Sequence, residues 1–132
     1  ICKIKNRNLE NVDAVCDKVF DFLENTDKKF DVVLLDPPAF IKNKKDFFSG
    51  IKGYEKLIKL GAAVTKKGGI LMISSCSHHA SLADLTGTAN NAFRKTNRAA
   101  KLIRVFGAGY DHPIHPALKE SEYLKSITFL VE

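Results

Sequence analysis

Neither a membrane-spanning run nor a secretory leader is expected from the 132-residue sequence. A transmembrane helix needs about 20 consecutive apolar residues, and the apolar runs of this chain are far shorter. The first ten residues carry polar and basic side chains where a signal peptide would have its apolar centre. With 45% hydrophobic and 27% charged residues, the chain is expected to form one globular domain in the cytoplasm.

Cysteine is also scarce, and acidic residues are outnumbered by basic ones. The three cysteines have no paired spacing, which argues against a disulfide framework and for a reducing compartment. The net charge of +6 is spread along the chain and is not concentrated in one tail. This excess favours a polyanionic partner, and it would equally serve solubility alone.

The apolar pattern predicts strands that alternate with helices. Residues 30–35, with the sequence FDVVLL, form a nearly continuous apolar run that is typical of a strand covered on both faces, and Pro37 and Pro38 end it. The other predicted strands are residues 12–16, 70–74, 101–106 and 124–131. The predicted helices are residues 19–23, 54–64 and 81–96, the second of which stops at a lysine and glycine cluster.

This order of elements predicts an α/β fold. The crossover helices imply a parallel sheet, and the close spacing of the last two strands implies an antiparallel ending. Ligands of such sheets gather at the carboxyl ends of the strands, where Asp17, Asp36 and Cys76 are each expected to lie. We therefore expect chemistry at this edge, with the Asp36 carboxyl and the Cys76 thiol in one pocket.

Several segments together resemble the catalytic half of the class I S-adenosylmethionine-dependent methyltransferases. They are FDVVLLDPPAF, GYEKLIKLGAAVTKKGG, GILMISSCS, DHP and YLK, in that order along the chain. More narrowly, they resemble the bacterial family that methylates carbon 5 of a cytosine in 23S ribosomal RNA. The resemblance extends from about Asn6 onward. It implies a Rossmann-like sheet, S-adenosylmethionine as cofactor and ribosomal RNA as partner.

One part of that pattern is absent upstream of Asp17. Members of the class hold the cofactor with a glycine-rich loop after the first strand and an acidic residue after the second, and neither motif precedes Asp17 here. The resemblance therefore implies an incomplete sheet without its first two strands, so that residues 1–132 form a partial catalytic domain. A missing N-terminal segment or another chain would complete the fold, and the chain alone is expected to bind the cofactor weakly.

The resemblance assigns Asp36 to the centre of the site. Its carboxyl would contact the target base near the ring nitrogen, where a proton donor relieves the negative charge that develops when carbon 6 is attacked. Phe40 would pack near the base. The implied cofactor contacts are Asp17 at the adenine amino group, Asp36, Pro37 and Pro38. Turn capping by Asp36 and helix capping by Asp17 are the structural alternatives.

Cys76 distinguishes methylation at carbon from methylation at nitrogen. Carbon 5 of cytosine is a weak nucleophile, so enzymes of this kind first add a thiolate to carbon 6; a thiolate is also a competent leaving group. The resemblance assigns this role to Cys76, and an inert buried cysteine at a strand end is the alternative. His78 and His79 are expected to begin the next helix, with a role as the base or in polarising the thiol as the alternative. Adjacent histidines point apart, which disfavours a metal site.

Two further residues are predicted to contact the substrate. His112, in the DHP motif, is an active-site neighbour by resemblance, with a structured turn as the alternative. Lys44 lies in a basic stretch that would pair with RNA phosphates, although charge runs usually face solvent only. Two other functions stay open: methylation of a base nitrogen with Cys76 idle, and RNA binding without catalysis.

Overall fold

The computed structural model describes residues 11–132, which form a layer of helices against one mixed sheet. The helices within these residues are α1 (Val19–Asn25), α2 (Phe47–Val64) and α3 (Leu82–Lys95). The strands are β1 (Phe30–Leu35), β2 (Thr65–Ser75), β3 (Ala100–Phe106) and β4 (Lys125–Val131), and short 3-10 helices lie at Lys44–Asp46 and Lys119–Ser121. None of these helices is both long and apolar enough to cross a membrane.

The strand order is β1-β2-β4-β3. β1 and β2 are parallel, whereas β4 runs antiparallel to both of its neighbours, β2 and β3. This confirms the predicted parallel sheet with an antiparallel ending. Leu35 pairs with Ile73, and Ser75 pairs with Lys125, so the ends of β1 and β2 and the start of β4 lie at the same edge.

The core lies between the helices and one face of the sheet. Alternate strand residues on this face are buried, including Leu35, Leu71 and Phe129. α2 approaches the sheet closely at Gly61, where an added Cβ would lie 2.7 Å from Leu35 Cδ1. α3 packs through Phe93, whose ring centroid is 5.0 Å from that of Phe129. The helical spacing of apolar residues in the sequence therefore predicts this layer correctly.

The second face of β1 is not covered by the described residues. Val32 is 56% exposed and Leu34 is 66% exposed. Val33 and Leu35, which alternate with them along the strand, are buried. The expectation that this strand is covered on both faces is thus wrong for residues 11–132. The apolar run is continuous in sequence, but within this part of the chain only Val33 and Leu35 of the strand are buried.

Three element boundaries also differ from the predictions. Residues 12–16 form no strand in the described structure, and Val12 and Val15 are exposed beyond the edge strand β1. α2 begins at Phe47, seven residues before the predicted start, because Phe47 and Ile51 already pack on the core. β2 begins at Thr65, five residues before the predicted start at residue 70. The lysine and glycine cluster, which was predicted only to end the helix, is already part of this strand, and Gly68 adopts a positive φ of 76° within it.

Candidate active site

Two loops follow the adjacent parallel strands β1 and β2. Asp36 comes directly after Leu35, and Leu35 pairs with Ile73. Asp36 is therefore level with Ser74, and Cys76 lies two residues beyond that level in the direction of β2. Two residues of extended chain correspond to about 7 Å. The structure therefore places both predicted residues at the carboxyl edge of the sheet, as the sequence indicates.

A buried hydroxyl cluster joins these two loops. The Tyr54 hydroxyl, on α2, is fully buried and lies 2.8 Å from Ser75 Oγ and 3.0 Å from Ser77 Oγ. The Ser77 amide donates to Ser75 Oγ at 3.2 Å, and the Ile41 amide donates to Ser77 Oγ at 3.3 Å. The residues on both sides of Cys76 are thus fixed to α2, and the loop after Asp36 is fixed to the loop of Cys76.

A lysine holds the same loop from the side of β4. Lys125 Nζ donates to the carbonyl oxygens of Ser77, at 2.8 Å, and Ala80, at 2.6 Å. Burial lowers the pKa of Lys125, and the negative charges of Cys76 and Asp84 act in the opposite direction. The loop between β2 and α3 is therefore held by a partly buried cation.

The loop ends in a well-formed helix N-terminus. Ser81 Oγ accepts from the Asp84 amide at 3.1 Å, and the Asp84 carboxylate accepts from the Ser81 amide at 2.9 Å, so the two residues form a capping box. Hydrogen bonds from the Ser81 side chain and backbone lower the pKa of Asp84. His78 and His79 lie in the turn before this cap, so the prediction that they begin the helix is wrong.

Cys76 is half-buried and borders a cavity of about 480 Å³. The cavity is lined by Ala39, Ile41, Lys42, Cys76, Ser77, His78, His79 and Glu120. Its polar groups include the two imidazoles, one ammonium and one carboxylate. Such a mixture can receive a polar ring with hydrogen-bond donors and acceptors on its edge.

Asp36 borders a different cavity, of about 540 Å³. Its lining consists of Val19, Phe20, Leu34, Leu35, Asp36, Pro37, Pro38, Phe40 and Leu57. The expectation of one pocket for Asp36 and Cys76 is therefore not met: the loop after Asp36 puts Ala39, Ile41 and Lys42, but not Asp36, beside the thiol. The hydrogen bond from the Ile41 amide to Ser77 Oγ fixes this arrangement.

Asp17 borders a third cavity, of about 380 Å³, next to that of Asp36. Val19, Leu34 and Leu35 line both cavities, which form an apolar surface between the two carboxylates. Asp17 does not end a strand and does not cap α1: the N-cap of α1 is Lys18, whose amide donates to Asp17 Oδ1 at 2.7 Å. Its position at this surface is nevertheless compatible with an adenine contact.

The predicted substrate contacts are not gathered around the thiol. Phe40 packs on Tyr54, with ring centroids 4.8 Å apart, and lines the cavity of Asp36. Lys44 begins an exposed 3-10 helix. His112 lies in a turn, 3.2 Å from Asp111 Oδ2, and borders a separate cavity with Tyr110. Their predicted contacts with RNA stay predictions.

Four residues of the site were not identified from the sequence: Tyr54, Ser77, Glu120 and Lys125. Tyr54 has the spacing of an ordinary helix core residue, and Glu120 lies in a long connection without a motif. Lys125 belongs to the quoted YLK segment, which is the one signal that could have indicated it. Within residues 11–132 no group of three or more His, Cys, Asp or Glu residues could hold a metal ion.

The sequence is similar to ribosomal RNA large subunit methyltransferases. No family model matches. Ribosomal RNA large subunit methyltransferase I of Photobacterium profundum is 31% identical over 127 residues, which cover 94% of this chain and 32% of that protein. The enzyme of the same name from Vibrio vulnificus is 35% identical over 97 residues, covering 74% and 24%. The chain spans 27% and 28% of the length of two further relatives, from Bacillus subtilis and Methanocaldococcus jannaschii.

Solved structures agree with the fold. The crystal structure of SMU.776 complexed with SAH, described as a methyltransferase, has a TM-score of 0.65 at 23% identity and covers 84% of this chain and 28% of its own. A methyltransferase homologue from Pyrococcus horikoshii has a TM-score of 0.58 at 17% identity, covering 83% and 41%. The described part of the chain therefore has the fold of one part of the class I methyltransferases, and its sequence is similar to ribosomal RNA large subunit methyltransferases.

Proposed function

We propose that the chain is a catalytic part of a cytoplasmic S-adenosylmethionine-dependent RNA methyltransferase, which methylates carbon 5 of a cytosine in 23S ribosomal RNA through an adduct with Cys76. The observation that carries this proposal is the half-buried thiol beside a cavity at the carboxyl edge of the sheet, whose lining residues include His78, His79 and Glu120. The similarity to large-subunit ribosomal RNA methyltransferases over most of the chain supports the substrate class.

The described residues are compatible with the cofactor. The apolar surface shared by the cavities of Asp17 and Asp36 suits a flat adenine ring, and carboxylates can accept hydrogen bonds from amino groups. Asp17 would hold the adenine amino group, and Asp36 with Pro37 and Pro38 would border the cofactor near the reacting end. S-adenosylmethionine supplies an electrophilic methyl group when it is bound there.

Cys76 would make carbon 5 reactive. Its thiolate forms a bond to carbon 6 of cytosine, and the electron pair of the bond between carbons 5 and 6 moves toward the ring nitrogen, where an acid supplies a proton. Carbon 5 then has the electron density to accept the methyl group. Loss of the carbon 5 proton to a base, return of the ring-nitrogen proton to the acid's carboxylate and cleavage of the bond between sulfur and carbon 6 restore the aromatic ring, the acid and the thiolate.

Two carboxylates are available as the acid. Asp36 is the residue that the resemblance assigns, and it borders the neighbouring cavity. Glu120 borders the cavity of the thiol itself. We propose Asp36 as the acid, and we expect Asp36→Asn to reduce methyl transfer by about 100-fold or more, since general acid catalysis contributes about that much. A larger loss in Glu120→Gln than in Asp36→Asn would transfer the role to Glu120.

The test of the carbon route is Cys76→Ala. Methyl transfer from labelled S-adenosylmethionine to large-subunit ribosomal RNA is measured, and the modified nucleoside is identified by mass spectrometry. With the segment expected to complete the fold supplied, the carbon route predicts 5-methylcytosine with the parent protein and none with Cys76→Ala, because the unaided carbon 5 does not react. Cys16→Ala is the matched control, since Cys16 lies outside the Cys76 cavity, and it should retain the activity.

Two results would contradict the proposal. Transfer that persists in Cys76→Ala and yields a nitrogen-methylated base would show that the thiol is idle. RNA retention that weakens steeply with salt, without methyl transfer even when the segment expected to complete the fold is supplied, would indicate RNA binding alone. The exposed lysines of the stretch 42–45 are the feature that would favour the latter result.

A further inference from the structure

Lys125 is attached to the loop that carries the reactive thiol. Its backbone pairs with Ser75, the residue before Cys76, and its ammonium group donates to the carbonyl of Ser77, the residue after Cys76. A second hydrogen bond, to Ala80, extends the contact across the turn that leads to α3. Lys125 therefore contacts the residues on both sides of the thiol, Ser75 through its backbone and Ser77 through its ammonium group.

We infer that Lys125 is a positioning residue for Cys76, whose ammonium group fixes the cysteine loop and supplies positive charge that favours the thiolate. The inference rests on the proposed role of Cys76 as nucleophile. The thiolate is the form of cysteine that attacks carbon, and a neighbouring cation increases its population at neutral pH. Two hydrogen bonds to the loop keep the cation in one place relative to the sulfur.

Lys125 forms no ion pair with a carboxylate within the described residues. None of the ion pairs formed within residues 11–132 includes Lys125, and its two hydrogen-bond acceptors are neutral carbonyl groups. The side chain is partly buried, so water screens its charge less than that of an exposed lysine. The charges of the Lys125 ammonium and the Cys76 sulfur interact, since Cys76 acts to raise the pKa of Lys125 against the effect of burial.

Other ionisable groups lie in the neighbourhood of the thiol. Those that line the cavity of Cys76 are Lys42, His78, His79 and Glu120, and Asp84 lies at the start of α3. All of them are present in every variant described below. Only a change that appears with substitution of Lys125 is therefore assigned to its charge.

The experiment measures how fast iodoacetamide alkylates Cys76 between about pH 6 and pH 10. Peptide mass spectrometry separates Cys76 from Cys2 and Cys16. The variants are Lys125→Met, which removes the charge and the donors, and Lys125→Arg, which keeps both. Lys66→Met is the matched control, because Lys66 is an exposed lysine paired with Asp31 near the start of β2, at the opposite end of the strand from Cys76.

We expect Lys125→Met to move the pH profile of alkylation to higher pH and to slow the reaction at neutral pH about fivefold. Lys125→Arg and Lys66→Met should stay within about twofold of the parent. A purely structural role would change the rate by the same factor at every pH. An unmoved profile in a folded Lys125→Met protein, or a faster reaction at neutral pH, would overturn the inference.

A second variant covers the case in which Lys125→Met does not fold, as judged by circular dichroism. Lys125→Gln keeps an N–H donor for one carbonyl group but removes the charge. Its pH profile of Cys76 alkylation should therefore shift to higher pH as well. Alkylation needs neither RNA nor methyl transfer. Methyl transfer by Cys76→Ala would therefore overturn the proposed function alone, and an unmoved profile would overturn the role of Lys125 alone.

Discussion

Tyr54 illustrates how a single residue can join two predicted motifs. Its buried hydroxyl contacts Ser75 and Ser77, and Ser77 in turn accepts from the Ile41 amide. The aromatic ring also packs on Phe40. The positions of the loops after β1 and β2 are therefore coupled through one side chain of α2, which has no obvious functional signature in the sequence.

Replacement of Tyr54 by Phe tests this coupling. The ring is retained, and the two serine hydroxyls lose one hydrogen-bond partner in a buried site, so the free energy of unfolding should fall by about 1–2 kcal/mol. Urea denaturation measures the change. Tyr110→Phe is the control, because Tyr110 is fully exposed and its substitution should change the free energy by less than about 0.5 kcal/mol. Equal effects of the two substitutions would contradict the proposed importance of the cluster.

The positions of Asp36 and Cys76 at one edge of the sheet could be predicted, but their separation into two cavities could not. Both residues follow apolar runs, and the ends of parallel strands meet at one edge. Beyond the last paired residues, the course of each loop is decided by contacts such as Ile41 with Ser77 and Lys125 with Ala80. Those partners are more than 30 residues apart along the chain, and no local pattern reports them.

At the scale of elements, α3 offers a measurable pH dependence through its capping box. Hydrogen bonds from Ser81 lower the pKa of Asp84 from its ordinary value of 3.8. Folding thus favours the charged carboxylate, so its contribution to stability is fully present above the ordinary pKa and is lost as the pH falls through the lowered one. Asp84→Asn should therefore be less stable than the parent at neutral pH, by about 0.5–1 kcal/mol.

The pH series distinguishes the cap from a general effect of charge. Unfolding of the parent and of Asp84→Asn is followed by circular dichroism from neutral pH down to about pH 3. The difference between the two proteins should shrink toward the acid end. Asp27→Asn, in the exposed segment before β1, controls for the loss of one negative charge. A difference that stays constant with pH would exclude the charged form of Asp84 as the stabilising species.

Elements with a strong apolar period were predicted well. β1, α3 and β4 were all predicted within one or two residues of their observed bounds. The strand predicted at residues 12–16 was wrong: the prediction rested on β propensity, which depends strongly on context, and the described structure has no strand there. The start of α2 was placed too late because Phe47 and Phe48 precede two glycines, which weaken a helical pattern.

At the scale of the whole molecule, the two faces of the sheet differ in burial. The face toward α2 and α3 contains the core, whereas Val32 and Leu34 on the opposite face of β1 are exposed in residues 11–132. The sequence does not reveal this difference, because FDVVLL is apolar at both even and odd positions. Burial depends on which elements are present around a strand as well as on its own residues.

Substitution of two neighbouring leucines on β1 tests this difference in burial between the two faces. Leu35 is 7% exposed and packs on α2 at Gly61, so Leu35→Ala should lower the free energy of unfolding by about 2–5 kcal/mol. Leu34 is 66% exposed, and Leu34→Thr, which keeps a residue suited to strands, should change it by less than about 0.5 kcal/mol. Urea denaturation of both variants is compared at several protein concentrations. A large loss in Leu34→Thr would mean that this face is covered in solution, and a dependence on protein concentration would identify the cover as a second copy of the chain.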